Sequence, residues 1–306
     1  MKFGLHLHDT LSLDPDAVIS NWQEMVSAAD TQGFEYVSVS DHLVPFPNLK
    51  ARNTPLFDPW QLLAAYACQT QQVTLLTLAS NASIHHPTSV AKRAVTLDRL
   101  SHGRMMLGLG AGGYTPDEAA VGQLRTSQTE RYARLGECID TVQKLWTGEE
   151  VSVESQFVSL LGYTSAPAPV HSPRILIAGK SQAILSLAAT RGSACNFAFA
   201  DPEQTQALVS RLERLLSNAQ RSLKDFEVTL LDRVFIADSD ASAKRAWQGA
   251  GSPVVHDGHP GLIGGPETLI HRLSQLEQAG ANTVFCMFQD VASLRHFSEE
   301  VMTRIH

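Results

Sequence analysis

Short apolar runs alternate with longer amphipathic segments along almost the whole chain. The short runs are nearly continuous in apolar side chains, as expected of parallel strands that helices cover on both faces. They predict eight strands, at 3–7, 36–40, 73–79, 105–110, 174–179, 194–200, 228–237 and 283–288.

Between the strands, apolar side chains recur at the three- and four-residue spacing of a helix with one buried face. The first such segment places Val18 and Trp22 on one face. Asp14 is its expected N-cap, Pro15 fits its first turn, and Gly33 is its expected stop. The pattern predicts helices at 15–32, 59–70, 88–100, 130–147, 181–191, 203–219, 241–248, 267–279 and 291–305.

A strand followed by a helix, repeated eight times, is typical of parallel βαβ units. At 306 residues this count favours a closed α/β (β/α)8 barrel, a TIM barrel, over an open doubly wound sheet, and predicts one domain over 1–306. Long loops are expected at 111–129 after the fourth strand, 148–173 before the fifth and 249–266 after the seventh. Within the second of these, VSVESQFVSL (151–160) predicts a small hairpin.

Composition narrows the range of partners. The net charge is −7 and no basic run occurs, which argues against nucleic acid. No apolar run of about 18 residues and no signal-peptide pattern occurs, so we expect no membrane segment and a cytoplasmic protein. The four cysteines are far apart and fit no zinc or C-x-x-C spacing, which predicts reduced thiols.

His6 and His8 end the first strand, and H-x-H is also how metal-dependent amidohydrolase barrels begin. Such sites need further ligands after later strands. The fifth strand ends in 178–180 (AGK) and the sixth in 200–201 (AD), so neither supplies histidine, and Asp290 alone is too little for zinc. We predict no metal. The two histidines either line a substrate pocket or are hydrogen-bonded core residues.

Asp41 and His42 follow the second strand. The carboxyl ends of barrel strands are where the active sites of TIM barrels lie. A histidine beside an acid there can act as a general acid or base near neutral pH. The alternative interpretation is that Asp41 caps the following turn and His42 is simply exposed.

A glycine-rich run, GLGAGG (108–113), ends the fourth strand. It reads as G-x-G-x-x-G, but the dinucleotide fingerprint requires a helix starting in that loop. Here YTP (114–116) follows and the next predicted helix begins near 129, so we reject a Rossmann site. Glycines without side chains could instead let a planar ring approach the strand ends.

Gly179, Lys180 and Ser181 lie directly before a predicted helix. The upstream glycine of a P-loop is absent, since position 174 is arginine. A glycine turn that leads into a helix N-terminus is nevertheless suited to an anion, because backbone N–H groups and the helix dipole point at it. The alternative is an ordinary βα turn.

Four stretches carry a family resemblance. They are GFEYVSVSDHL (33–43), HHPTSVAKRAVTLDRLSHGRMMLGLGAGG (85–113), RYARLGECIDTVQKLWTGE (131–149) and APAPVHSPRILIAGKSQ (166–182). Together they resemble the luciferase-like monooxygenase family of flavin- and F420-dependent oxidoreductases. The chain after residue 200 matches less specifically, apart from Gly265-Pro266-Glu267.

The resemblance implies a flavin or deazaflavin lying across the top of the barrel. The cofactor-binding residues so implied are Leu78, Ala79, Ser80, Gly110, Gly112, Ala178, Gly179, Lys180 and Ser181. The first three would lie against the ring, where the family often has a non-proline cis peptide, and the last three would hold the phosphate. His42 would sit near the reactive edge of the ring.

The chain also departs from parts of the family. Ala111 stands where luciferase proper carries an arginine that contacts the phosphate, and Ser40-Asp41-His42 replaces its Glu-His-His. Both departures argue against a light-emitting luciferase. Ser-Asp-His is more typical of members that use coenzyme F420. Those members often carry a glutamate after the fourth strand, where this chain has Asp117 and Glu118 nearby.

The leading hypothesis is therefore an F420-dependent oxidoreductase that transfers a hydride to or from a small organic substrate. In it, the catalytic residues are His42, which gives or takes the proton, and Asp41, which orients or tunes it. The alternatives are an FMN-dependent monooxygenase using reduced FMN and O2, and a catalytically inactive flavin-binding barrel. We expect the loops 43–57, 111–128 and 249–266 to shape the substrate pocket. A homodimer and a separate flavin or F420 reductase are the expected partners.

Overall fold

The computed structural model describes residues 1–7, 14–45, 54–123, 126–251 and 259–305. The strands are β1 (Lys2–Leu7), β2 (Tyr36–Val39), β3 (Thr74–Thr77), β4 (Ser80–Asn81), β5 (Met105–Gly110), β6 (Glu150–Glu154), β7 (Ser159–Thr164), β8 (Arg174–Ala178), β9 (Ala194–Ala198), β10 (Glu227–Ile236), β11 (Leu262–Gly264) and β12 (Thr283–Met287). The helices are α1 (Pro15–Thr31), α2 (Pro59–Gln69), α3 (Pro87–Leu100), α4 (Thr115–Ala120), α5 (Gln128–Leu145), α6 (Gln182–Arg191), α7 (Pro202–Asn218), α8 (Asp240–Gly249), α9 (Pro266–Gln278) and α10 (Val291–Glu300).

Within the described residues, eight parallel strands close into a barrel. Their order is β1-β2-β3-β5-β8-β9-β10-β12, and β12 pairs with β1 to complete the ring. The predicted TIM barrel is confirmed. All eight predicted strands are confirmed as well, with ends within two residues of those expected.

Residues that start and end the helices make the capping contacts that their chemistry suggests. The Asp14 carboxylate accepts hydrogen bonds from the backbone N–H groups of residues 16 and 17, and Gly33 has φ +86° directly after α1. Ser127 and Glu130 form a reciprocal capping box that starts α5. The last predicted helix is shorter than expected, since α10 ends at Glu300 and a 3-10 turn follows at Met302–Arg304.

All three long connections contain regular structure, which in the last of them is the short strand β11 (Leu262–Gly264). The hairpin predicted at 151–160 is confirmed as the antiparallel pair β6 and β7. The loop after β5 contains α4, so the expectation that no helix begins before about 129 is wrong. Pro116 and the acidic side chains of Asp117 and Glu118 suit a helical first turn. The barrel topology, not the missing helix, is therefore what excludes a Rossmann site.

The barrel interior is packed at mid-height. Inward-facing side chains from most of the strands form one apolar cluster there: Tyr36, Leu76, Leu78, Met106, Leu176, Ala194, Leu231, Phe285 and Met287. A larger apolar cluster lies between the outer faces of the strands and the surrounding helices. None of the helices in the described ranges is both long and apolar enough to cross a membrane.

The amino-terminal end of the barrel holds a buried charge. The Tyr36 hydroxyl donates to Glu227 at 2.9 Å, Arg174 pairs with the same carboxylate at 2.5 Å, and Thr283 donates to it as well. Burial alone would raise the pKa of Glu227, but hydrogen bonds from Thr283 and Arg174 outweigh burial and lower it. The charged and polar groups at this end therefore satisfy one another.

Candidate active site

A cavity of about 300 Å³ lies at the carboxyl ends of the barrel strands. Its lining consists of Asp41, His42, Ala79, Asn81, Gly110, Ala111, Gly112, Tyr114, Ala178, Gly179, Lys180, Asn196 and Ala198. Both predicted catalytic residues and six of the nine predicted cofactor-binding residues are in this set. The structure thus brings together predicted residues that lie up to 139 positions apart, from Asp41 to Lys180.

The other three predicted cofactor residues lie behind the lining. Leu78 packs in the mid-barrel apolar cluster, and its peptide bond to Ala79 is cis, as the family resemblance suggested. Ser80 is fully buried and donates to Asp41. The Ser181 hydroxyl accepts from the backbone N–H of Ile184 and so caps α6. We find these three in supporting positions rather than on the cavity wall.

Two glycines allow the close backbone packing beside the cavity. A Cβ on Gly112, which has φ +74°, would lie 2.5 Å from Asn81 Oδ1. A Cβ on Gly108 would lie 1.9 Å from the carbonyl oxygen of Thr77. Close approach of β3 and β5 therefore requires Gly108, and the turn above β5 requires Gly112.

Asp41 is a buried carboxylate with three donors on one oxygen. Its Oδ2 accepts from Ser80 Oγ at 2.8 Å and from the Asn81 backbone N–H at 3.3 Å, and it pairs with His85 Nε2 at 2.8 Å. Burial would raise the pKa of Asp41, but the hydrogen bonds, that from His85 foremost, lower it below its ordinary value. Asp41 therefore presents a fixed negative charge at the cavity wall.

His42 is held by a different carboxylate. Its Nδ1 lies 2.7 Å from Asp117 Oδ2, and Asp117 is fully buried while the His42 side chain is 27% exposed. Asp41 instead binds Ser80, Asn81 and His85. Asp117 from α4, and not Asp41, is therefore the carboxylate at His42 Nδ1, while the predicted role of Asp41 in orienting or tuning His42 stays a prediction.

Asp117 also ties two loops together. Its Oδ1 accepts from the backbone N–H groups of Leu43 and Val44, both at 2.9 Å. Tyr114 stacks edge-on against the His42 ring at 5.8 Å between centroids, and its hydroxyl donates to the Pro45 carbonyl at 2.8 Å. The loop after β2 is thus clamped to the loop after β5, with His42 between them.

The predicted phosphate turn forms one side of the cavity. Gly179 has φ +141°, and its N–H donates to the Asn196 carbonyl at 3.1 Å. Lys180 is half-buried on the cavity wall, just before the N-terminus of α6. A lysine and a helix N-terminus side by side make this the cationic side of the cavity.

His6 lies inside the barrel as a hydrogen-bonded core residue. It is 3% exposed, its Nδ1 lies 2.8 Å from Ser38 Oγ, and its Nε2 lies 3.0 Å from Ser40 Oγ. His8 falls outside the described residues. Across the described part of the chain, no group of three or more His, Cys, Asp or Glu side chains is arranged to hold a metal ion.

Sequence reasoning missed three polar residues of the site. Asn196 lines the cavity and donates to Thr229 at 2.8 Å, and the only signal was a polar residue inside an apolar strand. Asn81 lines it as well and accepts from the Ser83 backbone N–H. Asp117 was noted only as an acidic neighbour, since its contact with His42 spans 75 positions.

The sequence matches a model of the luciferase-like monooxygenase family over residues 1–250. It is 31% identical to an F420-dependent glucose-6-phosphate dehydrogenase of Nakamurella multipartita, over 75% of this chain and 66% of that protein. It is 31% identical to an F420-dependent hydroxymycolic acid dehydrogenase of Mycobacterium tuberculosis, over 54% of this chain and 45% of that protein. The chain therefore spans slightly less than two thirds of the first relative and less than half of the second.

Solved structures with the same fold are also similar. A monooxygenase from Streptomyces bottropensis superposes over 100% of both chains with a TM-score of 0.84 and 23% identity. An F420-dependent secondary alcohol dehydrogenase, solved with an F420-acetone adduct, superposes over 98% of both chains with a TM-score of 0.84 and 18% identity. At these identities the likeness concerns the fold.

Proposed function

The chain belongs to the luciferase-like monooxygenase family, and from this premise we propose that it is an F420-dependent oxidoreductase acting on a small organic substrate. The observation that carries the proposal is the cavity at the strand ends, which combines a buried carboxylate, a carboxylate-held histidine and a cationic side. Fold alone would not support a function, since one barrel hosts many chemistries.

The residues present fit a deazaflavin. The cavity of about 300 Å³ is at the lower end of the size range of ligand pockets, about 300–1,000 Å³. Ala79, Gly110 and Ala178 in its lining carry little or no side chain, so they leave the space open for a ligand. Asp41 would accept a hydrogen bond from the ring system, and Lys180 would neutralise the phosphate. When bound, F420 supplies hydride transfer in two-electron steps.

Two features favour F420 over FMN. Ser40-Asp41-His42 matches the pattern typical of F420-using members, and Ala111 lacks the guanidinium that luciferase proper places near the phosphate. The curated relatives reported above are both F420-dependent dehydrogenases. An FMN-dependent monooxygenase is the alternative, and a preference for FMN in binding would favour it.

His42 is suited to move the proton that accompanies hydride transfer. When a carbinol carbon gives up a hydride, its hydroxyl loses a proton and becomes a carbonyl. Asp117 lies at Nδ1 and is acceptor-only when ionised, so Nδ1 carries the hydrogen and Nε2 is the nitrogen that takes the substrate proton. In the opposite direction Nε2 returns it.

Replacement of His42 tests this role. In His42→Ala we expect turnover to fall by about 10²–10⁴-fold, the usual contribution of a general acid or base, while the dissociation constant for F420 changes far less. Turnover is followed by the loss of F420 absorbance with a panel of alcohols and sugar phosphates. His271→Gln on the outer surface is the matched control. Wild-type turnover in His42→Ala would contradict the role.

Asp117→Asn tests the partner of His42. The amide can still accept from the two backbone N–H groups, but it no longer favours the ring form with a proton on Nδ1. We expect a lower kcat with little change in KM, and a changed pH profile of kcat. Equal kcat in the variant and the wild type would show that Asp117 only anchors the loop.

The proposal includes three further expectations. A separate F420 reductase or a second substrate would recycle the cofactor. The chain would act as a homodimer, which light scattering on the purified protein tests. Its four cysteines are all free, which fits a reducing cytoplasm and is tested by fractionation.

A further inference from the structure

Asp41 is the first residue of a chain of contacts that leads away from the cavity. His85, just before α3, lies with Nε2 2.8 Å from Asp41 Oδ2. Arg93, two turns along α3, lies with Nη1 3.3 Å from His85 Nδ1. Three residues from two loops and a helix therefore form one line, from a guanidinium to the cavity wall.

The donors in this line define the form of the His85 ring. A guanidinium has N–H donors and no acceptor, so Nδ1 of His85 must accept from Arg93 and carry no hydrogen. The hydrogen of the neutral ring is then on Nε2, where it points at Asp41. Arg93 thus selects the tautomer that donates to the carboxylate.

His85 also lines a second cavity, although it does not line the first. The second cavity has about 200 Å³ and is lined by Ala82, Ser83, Ile84, His85, His86, Pro87, Gln123, Arg134, Cys138, Phe157 and Val158. The His85 side chain is 15% exposed, whereas Asp41 is 4% exposed. His85 therefore links Asp41, on the wall of the proposed cofactor cavity, to the wall of a second cavity.

We infer that His85, held by Arg93, is a positioning residue for Asp41: it keeps this carboxylate ionised and turned so that Oδ1 serves as a fixed acceptor at the cavity. The inference rests on the proposed function for the identity of the ligand, but not for the geometry. Oδ2 is occupied by Ser80, Asn81 and His85. Oδ1 has no hydrogen-bond partner among the described residues, which leaves it for an N–H or O–H of the ligand.

The charges around the line agree with this role. Asp41 is faced by His85, with Arg93 behind it, and Arg134 and His86 line the same second cavity. No carboxylate other than Asp41 lies within 4 Å of His85 in the described ranges. His85 is a principal cause of the lowered pKa of Asp41, so its removal with burial unchanged should raise that pKa.

Two substitutions separate a hydrogen-bonding role from a packing role. His85→Gln keeps a donor that can reach Asp41, whereas His85→Phe keeps the ring volume and removes the donor. If His85 positions Asp41, F420 affinity is nearly retained in the glutamine variant. In the phenylalanine variant it falls by about tenfold to a hundredfold, the usual effect of losing a hydrogen bond to a charged group. If His85 only fills space, His85→Phe should bind F420 more tightly than His85→Gln.

The experiment combines two readouts on the full chain. Ring ¹⁵N spectra of the ligand-free protein, assigned by the signals lost in His85→Gln, report which nitrogen carries the hydrogen. Fluorescence titration with F420 between pH 4 and pH 8 reports how affinity depends on pH. In His85→Phe, the loss of affinity at acid pH should begin at a higher pH than in the wild type. Arg93→Met leaves His85 in place and should weaken its preference for the hydrogen on Nε2. Arg214→Met, on the exposed face of α7, is the control for this variant.

The outcomes are distinct. A hydrogen on Nε2, with affinity in the order wild type, glutamine, phenylalanine, supports the inference. A hydrogen on Nδ1 in the ligand-free protein overturns it even if F420 binds tightly. If F420 fails to bind the wild type, the proposed cofactor is wrong. The positioning role of His85 is then decided by the ring spectra and by the pKa of Asp41, measured by ¹³C detection in His85→Phe. An unchanged Asp41 pKa in that variant would overturn it.

Discussion

The two ends of the barrel are built from the same strands but hold their charged groups in different ways. At the amino-terminal end, Glu227 is satisfied by Tyr36, Arg174 and Thr283, all at strand positions. At the carboxyl end, Asp41 and His42 find their partners outside the barrel strands: His85 before α3 and Asp117 in α4. One end satisfies its charge within the sheet, whereas the other relies on loops.

This difference separates stability from function. Residues at the amino-terminal end of a TIM barrel usually serve stability, and those at the carboxyl end serve activity. At the amino-terminal end, the Glu227 carboxylate already binds three side chains of the sheet. A charge satisfied by loops can keep one oxygen directed at a cavity, as we propose for Asp41. Substitutions at the two ends should therefore affect different measurements.

The largest effect on folding should come from Glu227→Ala. It leaves Tyr36, Arg174 and Thr283 without their shared acceptor, and breaking a buried pair typically costs about 3–5 kcal/mol. The Arg174 side chain is 47% exposed, so we expect a smaller loss, about 2–3 kcal/mol in the free energy of unfolding. Urea unfolding measures it, and F420 affinity of the folded variant should be unchanged.

The control lies at the same end of the barrel. Lys2 and Glu35 form a pair at 2.8 Å in which both side chains are nearly half-exposed. Glu35→Ala should cost about 0–1 kcal/mol, as usual for surface pairs. Equal losses in Glu227→Ala and Glu35→Ala would break the distinction between a buried charge network and a surface pair.

A smaller effect on folding, with a clear effect on binding, is expected from Gly112→Ala at the other end. The new Cβ would approach Asn81 Oδ1 and the residue would keep φ +74°, a strain of about 1–3 kcal/mol. We expect F420 affinity to fall more than tenfold, about 1.4 kcal/mol, because the cavity wall must shift. Gly122→Ala is matched, since it has φ +76° and an added Cβ would meet nothing within 4 Å.

The two glycines share backbone strain and differ in surroundings. Both alanine variants should lower the midpoint of thermal unfolding, but only Gly112→Ala should weaken F420 binding. If Gly122→Ala weakens binding as much, strain in the loop after β5 and not the shape of the cavity sets the affinity.

The smallest effect on stability should come from His259→Asn. His259 pairs with buried Asp232 at 2.9 Å. The hydrogen bond to Asp232 raises the pKa of His259 above its ordinary value of 6.5. Such a group contributes stability that is fully present below the unfolded pKa and is lost as pH rises through the folded pKa. The gap in melting temperature between wild type and His259→Asn should be larger at pH 6 than at pH 9. A gap that grows with pH would contradict this assignment.

Most of the fold could be predicted because it depends on local patterns. Strand runs such as 105–110 and caps such as Asp14 carry their signal within a few residues. The position of Asp41 and His42 at the cavity followed from their place at a strand end. The carboxylate at His42 could not be predicted in the same way, because Asp117 lies in a six-residue helix without a sustained periodicity.

The contact between Asp41 and His85 shows the same limit. It joins residues 44 positions apart in two loops, and neither loop has a repeating pattern that specifies its path. Element types follow from periodicity, whereas pairings between loops follow from how the completed barrel brings strand ends together. Most of the residues that line the site could be predicted from the sequence, but Asn81, Asn196 and the partners that hold Asp41 and His42 could not.

The most direct test of the central claim is a fluorescence titration of the purified, ligand-free protein with F420 and, separately, with FMN. We expect saturable F420 binding that is at least about tenfold tighter than FMN binding, a difference of about 1.4 kcal/mol. Tighter binding of FMN would contradict the F420 assignment and favour oxygen chemistry on the same barrel. Binding of neither would contradict the placement of a flavin-type cofactor in the cavity beside Asp41, His42 and Lys180.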